Sequence, residues 1–573
     1  MDSKDKFFNS LIPTAVLLNI AFFLFITFFG FFPYQRQYPS YWLPPNSFIV
    51  GTGDGPEAID PIDSWDSISN KIIAQVAECL WWYDLTDPQL PLEGLLATAW
   101  NYSASNLVLD VHIREFVYFH DGSLLDANVV KWNLDRINYF INASGTLPVT
   151  TVPALPAPIY FLPDGRSIMN RSEVLDDYIV RIYLNDVFAS FIPLMSYTGS
   201  AMISMEAHSA TEYIDLLAGE LVGTGPYMYG HYRMGIEVSF TRFDRYWGTN
   251  GFFEELAFAI IEESSTRCQG MLGHTFDMIF GAESWSSCEL ENDPLTTIVE
   301  TGPDLYYWYM AFDNFRINVT WREAISKAFN YTYIVEEIQM GSAVRGPPCV
   351  PSSMPGHNAS TTVAQQNIPE ARSIMQSMSF GVGWDIGSQI GNNFIPGAHE
   401  VNWSDAAFFN DAFGHPIDLN YHVGSGTNRR LNDLLIYDLD KIGINTYETT
   451  REWEEYIEDG ENGLLRGIWY GGWKPDYIDA FNMLNPLFNP NSSSNYCNLT
   501  DPQVLAWLAA SAVETNMIKR YELFGKLQYR LFEVLYAHMP LWATKTRVVH
   551  GIDIQGYLYN GLDIFLAWPI YRE

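Results

Sequence analysis

The sequence predicts an α/β or α+β chain with mixed sheets, preceded by one N-terminal transmembrane helix. Short segments of alternating apolar and polar residues are typical of half-buried strands, and longer segments with helical apolar spacing are typical of amphipathic helices. An uninterrupted apolar run over residues 11–32 has the length of a bilayer-spanning helix. The chain has 573 residues and 48% hydrophobic content, which is enough for a large core and more than one domain.

The N-terminal segment divides into a cytoplasmic tail (1–10), a transmembrane anchor (11–33) and a linker rich in Pro and aromatic residues (34–47). Lys4 and Lys6 precede the apolar run, and an aromatic belt follows it, formed by Tyr34, Tyr38, Tyr41 and Trp42. We therefore expect an uncleaved single-pass anchor in the cell membrane, with the main domain at the cell surface. The alternatives are a cleaved signal peptide and a buried core helix, although the run has no polar face.

The main domain mixes strands and helices in no fixed period. Alternating patterns predict strands, at residues 107–113, 178–184, 236–243 and 539–549. Helical spacing and capping signals predict helices, at residues 126–141, 318–341, 428–444 and 519–537.

The charge balance excludes some partners. Acidic residues outnumber basic residues 67 to 32, which gives a formal net charge of −35. Nucleic acid binding needs a basic face, and adsorption to anionic lipid is disfavoured for the same reason. The composition suits a protein that stays soluble outside the cell.

The five cysteines are too few for a disulfide scaffold. Cys268 and Cys288 are spaced so that they could close a loop, and Cys349 could meet Cys497. The alternative is that these residues are buried small hydrophobic side chains. The eleven histidines are scattered without paired ligand spacing, so the sequence indicates neither a metal site nor a cofactor.

One adjacent His–Asp pair invites a catalytic interpretation. It lies in the stretch Phe119-His120-Asp121-Gly122. No nucleophile motif accompanies the pair, and Asp-Gly is typical of a turn. We interpret the stretch as a turn and expect no enzymatic activity from it.

Four longer stretches carry a resemblance to a known family. They are "AIDPIDSWDSISNKIIAQVAECLWWYD", "LLATAWNYSASNLVLDVHIREFVYFHDGSLLDANVVKWNLDRI", "LVGTGPYMYGHYRMGIEVSFTRFDRYWG" and "WREAISKAFNYTYIVEEIQMGSAVRGPPCVP". In this order they resemble family 5 of the extracellular solute-binding proteins of ABC importers, which includes oligopeptide- and dipeptide-binding proteins. The resemblance covers roughly residues 48–573.

The resemblance implies a two-lobed fold of the periplasmic-binding-protein type (type II, with an extra subdomain), in which ligand is enclosed by hinge closure. Lobe I would consist of residues 48–77, 198–304 and 545–573. The subdomain would be 78–197, and lobe II would be 305–544.

The stretch "GGWKPDYIDA" resembles the segment whose acid pairs with a peptide's α-amino group in the family's peptide binders. That role would fall to Asp476, with Trp473, Tyr477 and the more distant Trp453 lining the pocket. The alternative is a solvated turn acid beside incidental aromatic residues. Asp479 is a second acid nearby, which could favour cationic peptides or other cations.

The resemblance also implies an arginine that holds the ligand's carboxylate. Arg429 or Arg430 would do so from the start of a predicted helix, where the helix dipole favours an anion. The alternative is two surface arginines that face acids such as Asp433.

These expectations combine into a membrane-anchored extracellular binding protein that captures a short peptide and delivers it to an ABC permease, acting as a monomer. Binding would shift an open–closed equilibrium without chemical change. The alternatives are an oligosaccharide or other small solute in the same fold, a cell-surface hydrolase, and a surface component that has lost its ligand.

Overall fold

The computed structural model describes residues 46–87, 89–145, 156–281, 289–408 and 414–573. Its strands are, in chain order, β1 (Ser47–Thr52), β2 (Trp81–Tyr83), β3 (Leu92–Gly94), β4 (Ala97–Tyr102), β5 (Val108–Ile113), β6 (Met169–Asp176), β7 (Ile179–Leu184), β8 (Tyr227–Arg233), β9 (Glu237–Arg242), β10 (Glu255–Ile260), β11 (Met278–Ile279), β12 (Thr296–Pro303), β13 (Tyr307–Phe312), β14 (Ala343–Arg345), β15 (Ser388–Ile390), β16 (Asn393–Ile395), β17 (Ile417–His422), β18 (Thr446–Arg451), β19 (Ile468–Trp473), β20 (His538–Pro540), β21 (Trp542–Gly551), β22 (Ile554–Gln555) and β23 (Tyr571–Arg572).

The α-helices are α1 (Ser67–Val76), α2 (Ala127–Phe140), α3 (Phe191–Leu194), α4 (Ser264–Leu272), α5 (Val319–Ala328), α6 (Tyr331–Tyr333), α7 (Ile368–Ser377), α8 (Glu400–Ser404), α9 (Gly426–Asp440), α10 (Trp453–Glu461), α11 (Ala480–Phe488), α12 (Pro502–Val513) and α13 (Met517–Tyr529). Short 3₁₀-helices occur at Pro61–Asp63, Ala157–Tyr160, Thr198–Ser200 and Leu290–Asn292, and π-helical turns at Ile334–Ile338 and Arg530–Val534.

We use lobe I for the part of the chain built around the eight-stranded sheet. Its strand order is β12-β21-β11-β1-β10-β9-β8, and β14 pairs with β21. The central strand β1 runs parallel to both neighbours, β10 and β11, and its residues are largely buried, as expected for a strand covered on both faces.

We use lobe II for the part built around the five-stranded sheet, in the order β18-β17-β19-β13-β20. Strand β17 lies parallel to β18 and β19, whereas β13 is antiparallel to β19 and β20. Trp473 is the last residue of β19, so the loop that carries Asp476 leaves the sheet at this point.

The subdomain contains the four-stranded antiparallel sheet β4-β5-β7-β6, against which α2 packs. Its apolar core is continuous with the α11–α13 side of lobe II. The rings of Phe188 and Phe481, for example, meet edge to face at 5.6 Å between centroids. The subdomain therefore packs against lobe II as well as being connected to lobe I.

Two of the connections between the large sheets lie close together. Asp304 to Tyr306 join β12 of lobe I to β13 of lobe II, and Leu541 joins β20 of lobe II to β21 of lobe I. The two crossings are tied together, because the backbone N–H of Asp304 donates to the carbonyl of Thr544 at 2.9 Å. Paired crossings of this kind are where a hinge between two lobes can bend.

Most of the expected elements are confirmed, with small shifts at their ends. The helix expected over 126–141 is α2, and Asp126 caps it by accepting from the backbone N–H groups of Asn128 and Val129. The single long helix expected over 318–341 is wrong. It breaks after α5, because Phe329 is buried in an extended conformation and Asn330 starts a new helical turn by accepting from the N–H of Tyr333.

The cysteine predictions have different outcomes. Cys268 is disulfide-bonded, as one of the two expected bridges requires. Cys349 and Cys497 are free and buried, so the second expected bridge is wrong, and these residues act as small core side chains.

Within the ranges described above, no helix is both long and apolar enough to cross a bilayer. The predicted tail, anchor and most of the linker lie outside those ranges.

Candidate ligand-binding site

A cavity of about 320 Å³ lies where the subdomain, lobe I and lobe II meet, and we call it the interlobe cavity. Its size falls within the range of small-molecule pockets. It is lined by a residue that precedes α1, by the subdomain loop, by β19 and the loop that follows it, by α11 and by the loop after α11: Trp65, Pro158, Ile159, Phe161, Leu162, Pro163, Gly165, Trp473, Tyr477, Phe481, Asn482, Asn485, Pro486, Asn489, Asn491, Ser492, Ser493 and Ser494.

Asp476 lies directly behind the wall of this cavity. Its carboxylate accepts from the indole Nε1–H of Trp65 at 3.0 Å and from the side-chain amide of Asn482 at 3.1 Å. Trp65 belongs to lobe I and Asn482 to lobe II, and both line the cavity. The carboxylate therefore bridges the two lobes at the cavity wall.

Asp476 has a cation in its surroundings, Lys474, whose charge lowers the pKa of Asp476 but whose ion pair is with Asp563. Burial raises the pKa of its carboxyl group, and the hydrogen bonds from Asn482 and Trp65 only partly oppose the increase. In the described part of the chain, no Lys, Arg or His donates a hydrogen bond to it. A ligand ammonium group would supply the missing counter-charge.

Asp479, three residues further on, has a different role. It caps α11 by accepting from the N–H of Phe481 at 2.8 Å, and it forms a bidentate ion pair with the buried Arg520, at 2.6 and 3.0 Å. Because Arg520 compensates its charge, Asp479 is a structural acid, whereas the side chain of Asp476 accepts hydrogen bonds from the neutral donors of Trp65 and Asn482.

Trp473 and Tyr477 both line the interlobe cavity, as the sequence suggests. The indole Nε1–H of Trp473 donates to the carbonyl of Asn482 at 2.9 Å, which fixes the ring against α11. Tyr477 is almost fully buried, and burial raises the pKa of its hydroxyl well above the usual value.

The structure does not bring the other three proposed site residues to the cavity. Trp453 is 57% exposed at the start of α10, where its ring meets the imidazole of His422 at 5.0 Å. Arg429 and Arg430 are exposed in the first turns of α9, and Arg430 donates to the carbonyl of Glu337 at 2.9 Å. None of the three lines the interlobe cavity, so their roles in binding stay predictions.

Sequence reasoning missed Trp65 and Asn482, the two partners of Asp476. Trp65 is 411 residues away in the chain, and no local pattern could have paired the two. Asn482 could have been found, because it lies six residues after Asp476 in the first turn of a predictable helix.

A group of charged residues lies beside Asp476 at the lobe boundary, and we call it the cleft charge cluster: Asp66, Lys71, Asp304, Lys474, Asp476 and Asp563. Lys474 of lobe II lies 3.3 Å from the Asp563 carboxylate of lobe I, which also pairs with Lys71. Burial opposes ionisation of Asp563, but the two lysines outweigh it and lower its pKa to about 2. Asp304, at the hinge, has its pKa raised to about 7 by burial.

The His–Asp stretch in the subdomain is a turn, as expected. Gly122 adopts a positive φ of 87° and its N–H donates to the carbonyl of Phe119 at 2.9 Å. Asp121 accepts from the backbone N–H of Ser123, and the His120 ring bonds the carbonyl of Gly225 instead.

Comparison with known proteins agrees with this architecture. Residues 91–495 match the family model described as "Bacterial extracellular solute-binding proteins, family 5 Middle". The chain is 22% identical over 511 residues to heme-binding protein A of Haemophilus influenzae, covering 84% of each chain. It is 21% identical over 490 residues to the dipeptide-binding protein of Escherichia coli, covering 82% of this chain and 84% of the relative.

A solved structure shows the same fold. The periplasmic binding protein DppA from Helicobacter pylori, in complex with the peptide STSA, superposes with a TM-score of 0.73 at 19% identity, covering 92% of this chain and 98% of the other. The two-lobed α/β fold and the resemblance found in the sequence are thereby confirmed. Because the family model matches most of the chain, this protein belongs to the bacterial extracellular solute-binding proteins, family 5, which are binding proteins of ABC importers and not enzymes.

Proposed function

We propose that this protein captures a short peptide between lobes I and II and holds the peptide's α-ammonium group on Asp476. The observation that carries the proposal is the state of Asp476: a partly buried carboxylate at the lobe boundary, hydrogen-bonded by neutral donors from both lobes. Such a group is costly when alone and is stabilised when a cation arrives. The dipeptide-binding relative and the peptide-bound structural neighbour support a peptide, whose α-ammonium group would be that cation.

The hydrogen bonds to Asp476 also suggest how ligand binding would favour closure of the two lobes. Trp65 and Asn482 approach Asp476 from opposite lobes, so a ligand bound at Asp476 would contact both lobes only when they are closed. A ligand that prefers the closed state shifts the equilibrium toward it by its difference in affinity.

The test is calorimetry of the purified chain with a panel of di- and tripeptides. Asp476→Asn should weaken peptide binding by at least about 30-fold, because the ammonium group of the peptide loses its negatively charged partner. Asp433→Asn, which removes the same charge from an exposed site on α9, is the matched control and should change affinity less than twofold. Equal affinities of the Asp476→Asn variant and the unaltered chain would refute the proposal.

A second candidate ligand is an oligosaccharide. The cavity presents two tryptophans, Trp65 and Trp473, together with neutral asparagine and serine side chains, and this combination suits stacking and hydrogen bonding to sugar rings. A neutral sugar has no ammonium group, so Asp476→Asn would alter its affinity much less than that of a peptide. The same calorimetric titrations with a sugar panel distinguish the two ligands.

We also propose that residues 11–33 anchor the chain in the cell membrane, that the main domain lies outside, and that a monomer delivers ligand to an ABC permease. The length of the apolar run and its flanking residues support the anchor. Cell fractionation tests it: the full chain should sediment with membranes, and a chain lacking 11–33 should not. Light scattering of the purified chain checks the monomer.

A further inference from the structure

The ionic groups around Asp476 do not balance. In the cleft charge cluster, four carboxylates face two ammonium groups: Lys71 interacts with Asp563 and Asp66, and Lys474 interacts with Asp563, Asp304 and Asp476. Counted as ionised groups, the cluster carries an excess of two negative charges. An incoming cation is therefore attracted, and an incoming carboxylate is repelled.

One carboxylate oxygen of the cluster also lacks a donor. Asp66 caps α1 through its Oδ1, which accepts from the N–H of Ser69 at 2.8 Å. Its Oδ2 is buried and has no hydrogen-bond partner among the described residues. A buried acceptor without a donor is a group that a ligand donor would stabilise.

Among the residues that the structure describes, no Lys, Arg or His lines the interlobe cavity, where it could hold a ligand carboxylate. Basic residues around the cavity form ion pairs within the protein: Lys71 and Lys474 with Asp563, and Arg520 with Asp479. Arg166, which follows the lining residue Gly165, pairs with Asp164 and Asp186. The interlobe cavity itself is lined by apolar, asparagine and serine side chains, with no charged residue in its wall. The internal segments 146–155, 282–288 and 409–413, which the structure does not describe, contain no Lys or Arg in their sequence.

We infer that this site selects a primary ammonium compound whose remaining part is uncharged and hydrogen-bonding, such as a C-terminally amidated peptide, over a free zwitterionic dipeptide. This inference rests on the proposed role of Asp476 as the ammonium partner. It deepens that role by assigning the opposite end of the ligand to the neutral asparagines and serines of the cavity wall: Asn482, Asn485, Asn489, Asn491, Ser492, Ser493 and Ser494.

The experiment compares Ala-Ala, Ala-Ala amide and N-acetyl-Ala-Ala amide by calorimetry on the purified chain at pH 7.5 and low ionic strength. The amide should bind about tenfold more tightly than the free acid, because the excess negative charge repels the carboxylate across the site. The acetylated amide, which has no ammonium group, should not bind. Raising the salt concentration should bring the affinities of the acid and the amide together.

A variant identifies the source of the preference. Asp304→Asn removes one negative charge from the cluster and should reduce the ratio of amide to acid affinity by about threefold, whereas Asp433→Asn on exposed α9 should leave that ratio unchanged. Thermal unfolding of each variant verifies that it is folded, and the salt titration of the unaltered chain tests the same charge effect without any substitution.

The outcomes separate the two proposals. If both dipeptides bind and the free acid binds as tightly as the amide or more tightly, the site does not discriminate against a carboxylate, and this inference is overturned while the proposed function stands. If neither dipeptide binds, or if the acetylated amide binds as well as the amine, Asp476 is not an ammonium partner and both proposals fail. An amide that binds more tightly than the acid, and only with a free amine, supports the inference.

Discussion

The buried ion pair between Asp479 and Arg520 offers the sharpest test of how this site is built. Arg520 is 1% exposed and Asp479 is 7% exposed. The guanidinium donates twice to Asp479, once to the hydroxyl of Ser190 at 2.6 Å and once to the carbonyl of Ser511 at 2.8 Å. It therefore connects the start of α11, the loop before α3 and the end of α12.

Replacing Arg520 by Met keeps most of the side-chain volume and removes the charge. The Asp479 carboxylate then remains buried without a counter-charge, which costs about 3–5 kcal/mol of unfolding free energy. The double variant Asp479→Asn with Arg520→Met should cost less than the two single variants added together, because the residues act as one unit.

Urea unfolding followed by tryptophan fluorescence and circular dichroism measures the effect. The matched control is Lys519→Met, which removes a positive charge from the adjacent, exposed position of α13 and should change stability by less than about 0.5 kcal/mol. A loss of unfolding free energy below about 1 kcal/mol for Arg520→Met would show that the pair is not held in a low-dielectric environment. The distinction between a structural Asp479 and a ligand-binding Asp476 would then be refuted.

Three further predictions concern single groups. Trp65→Phe keeps an aromatic ring but removes the indole donor to Asp476 across the lobe boundary, so peptide affinity measured by calorimetry should fall about tenfold. Peptide binding should also weaken as the pH is lowered from neutral, and at a higher pH than for an ordinary aspartate, because burial raises the pKa of Asp476 and a protonated carboxyl cannot hold an ammonium group. Titrations at successively lower pH should show the decline, and Asp476→Asn should abolish it. Glu78 lies buried among Thr224, Tyr246 and Trp247, and burial raises its pKa to about 7. The contribution of protonated Glu78 to the unfolding free energy is present below its unfolded pKa and is lost as the pH rises through about 7. In urea unfolding at pH 8, Glu78→Gln should therefore be more stable than the unaltered chain by about 3 kcal/mol. At pH 4 it should show no such gain.

Local sequence signals predicted individual elements well where the physics is local. Helix α2 begins at Asp126 because an acidic side chain can cap the first N–H groups, and this depends only on neighbouring residues. The expected long helix over 318–341 breaks at Phe329, which is buried with an extended backbone, and this burial depends on the rest of the fold.

The candidate site was predictable only in part. Trp473, Asp476 and Tyr477 follow one strand end, so a single stretch of sequence could mark them as neighbours. Arg429 and Arg430 were expected to face the same cleft, but they lie exposed on α9 and do not line the cavity. Spacing along a chain cannot decide which face of a helix meets a distant loop.

The mixed α/β character, the strongly negative charge that disfavours nucleic acid, and the family could all be read from the amino-acid sequence, because they depend on composition and on short ordered motifs. The partners of the two acids follow from the three-dimensional fold: the side chain of Asp479 pairs with Arg520, whereas that of Asp476 accepts hydrogen bonds from Trp65 and Asn482. The physical reason is that the energy of a charge depends on what surrounds it in space, and residues hundreds of positions apart supply those surroundings.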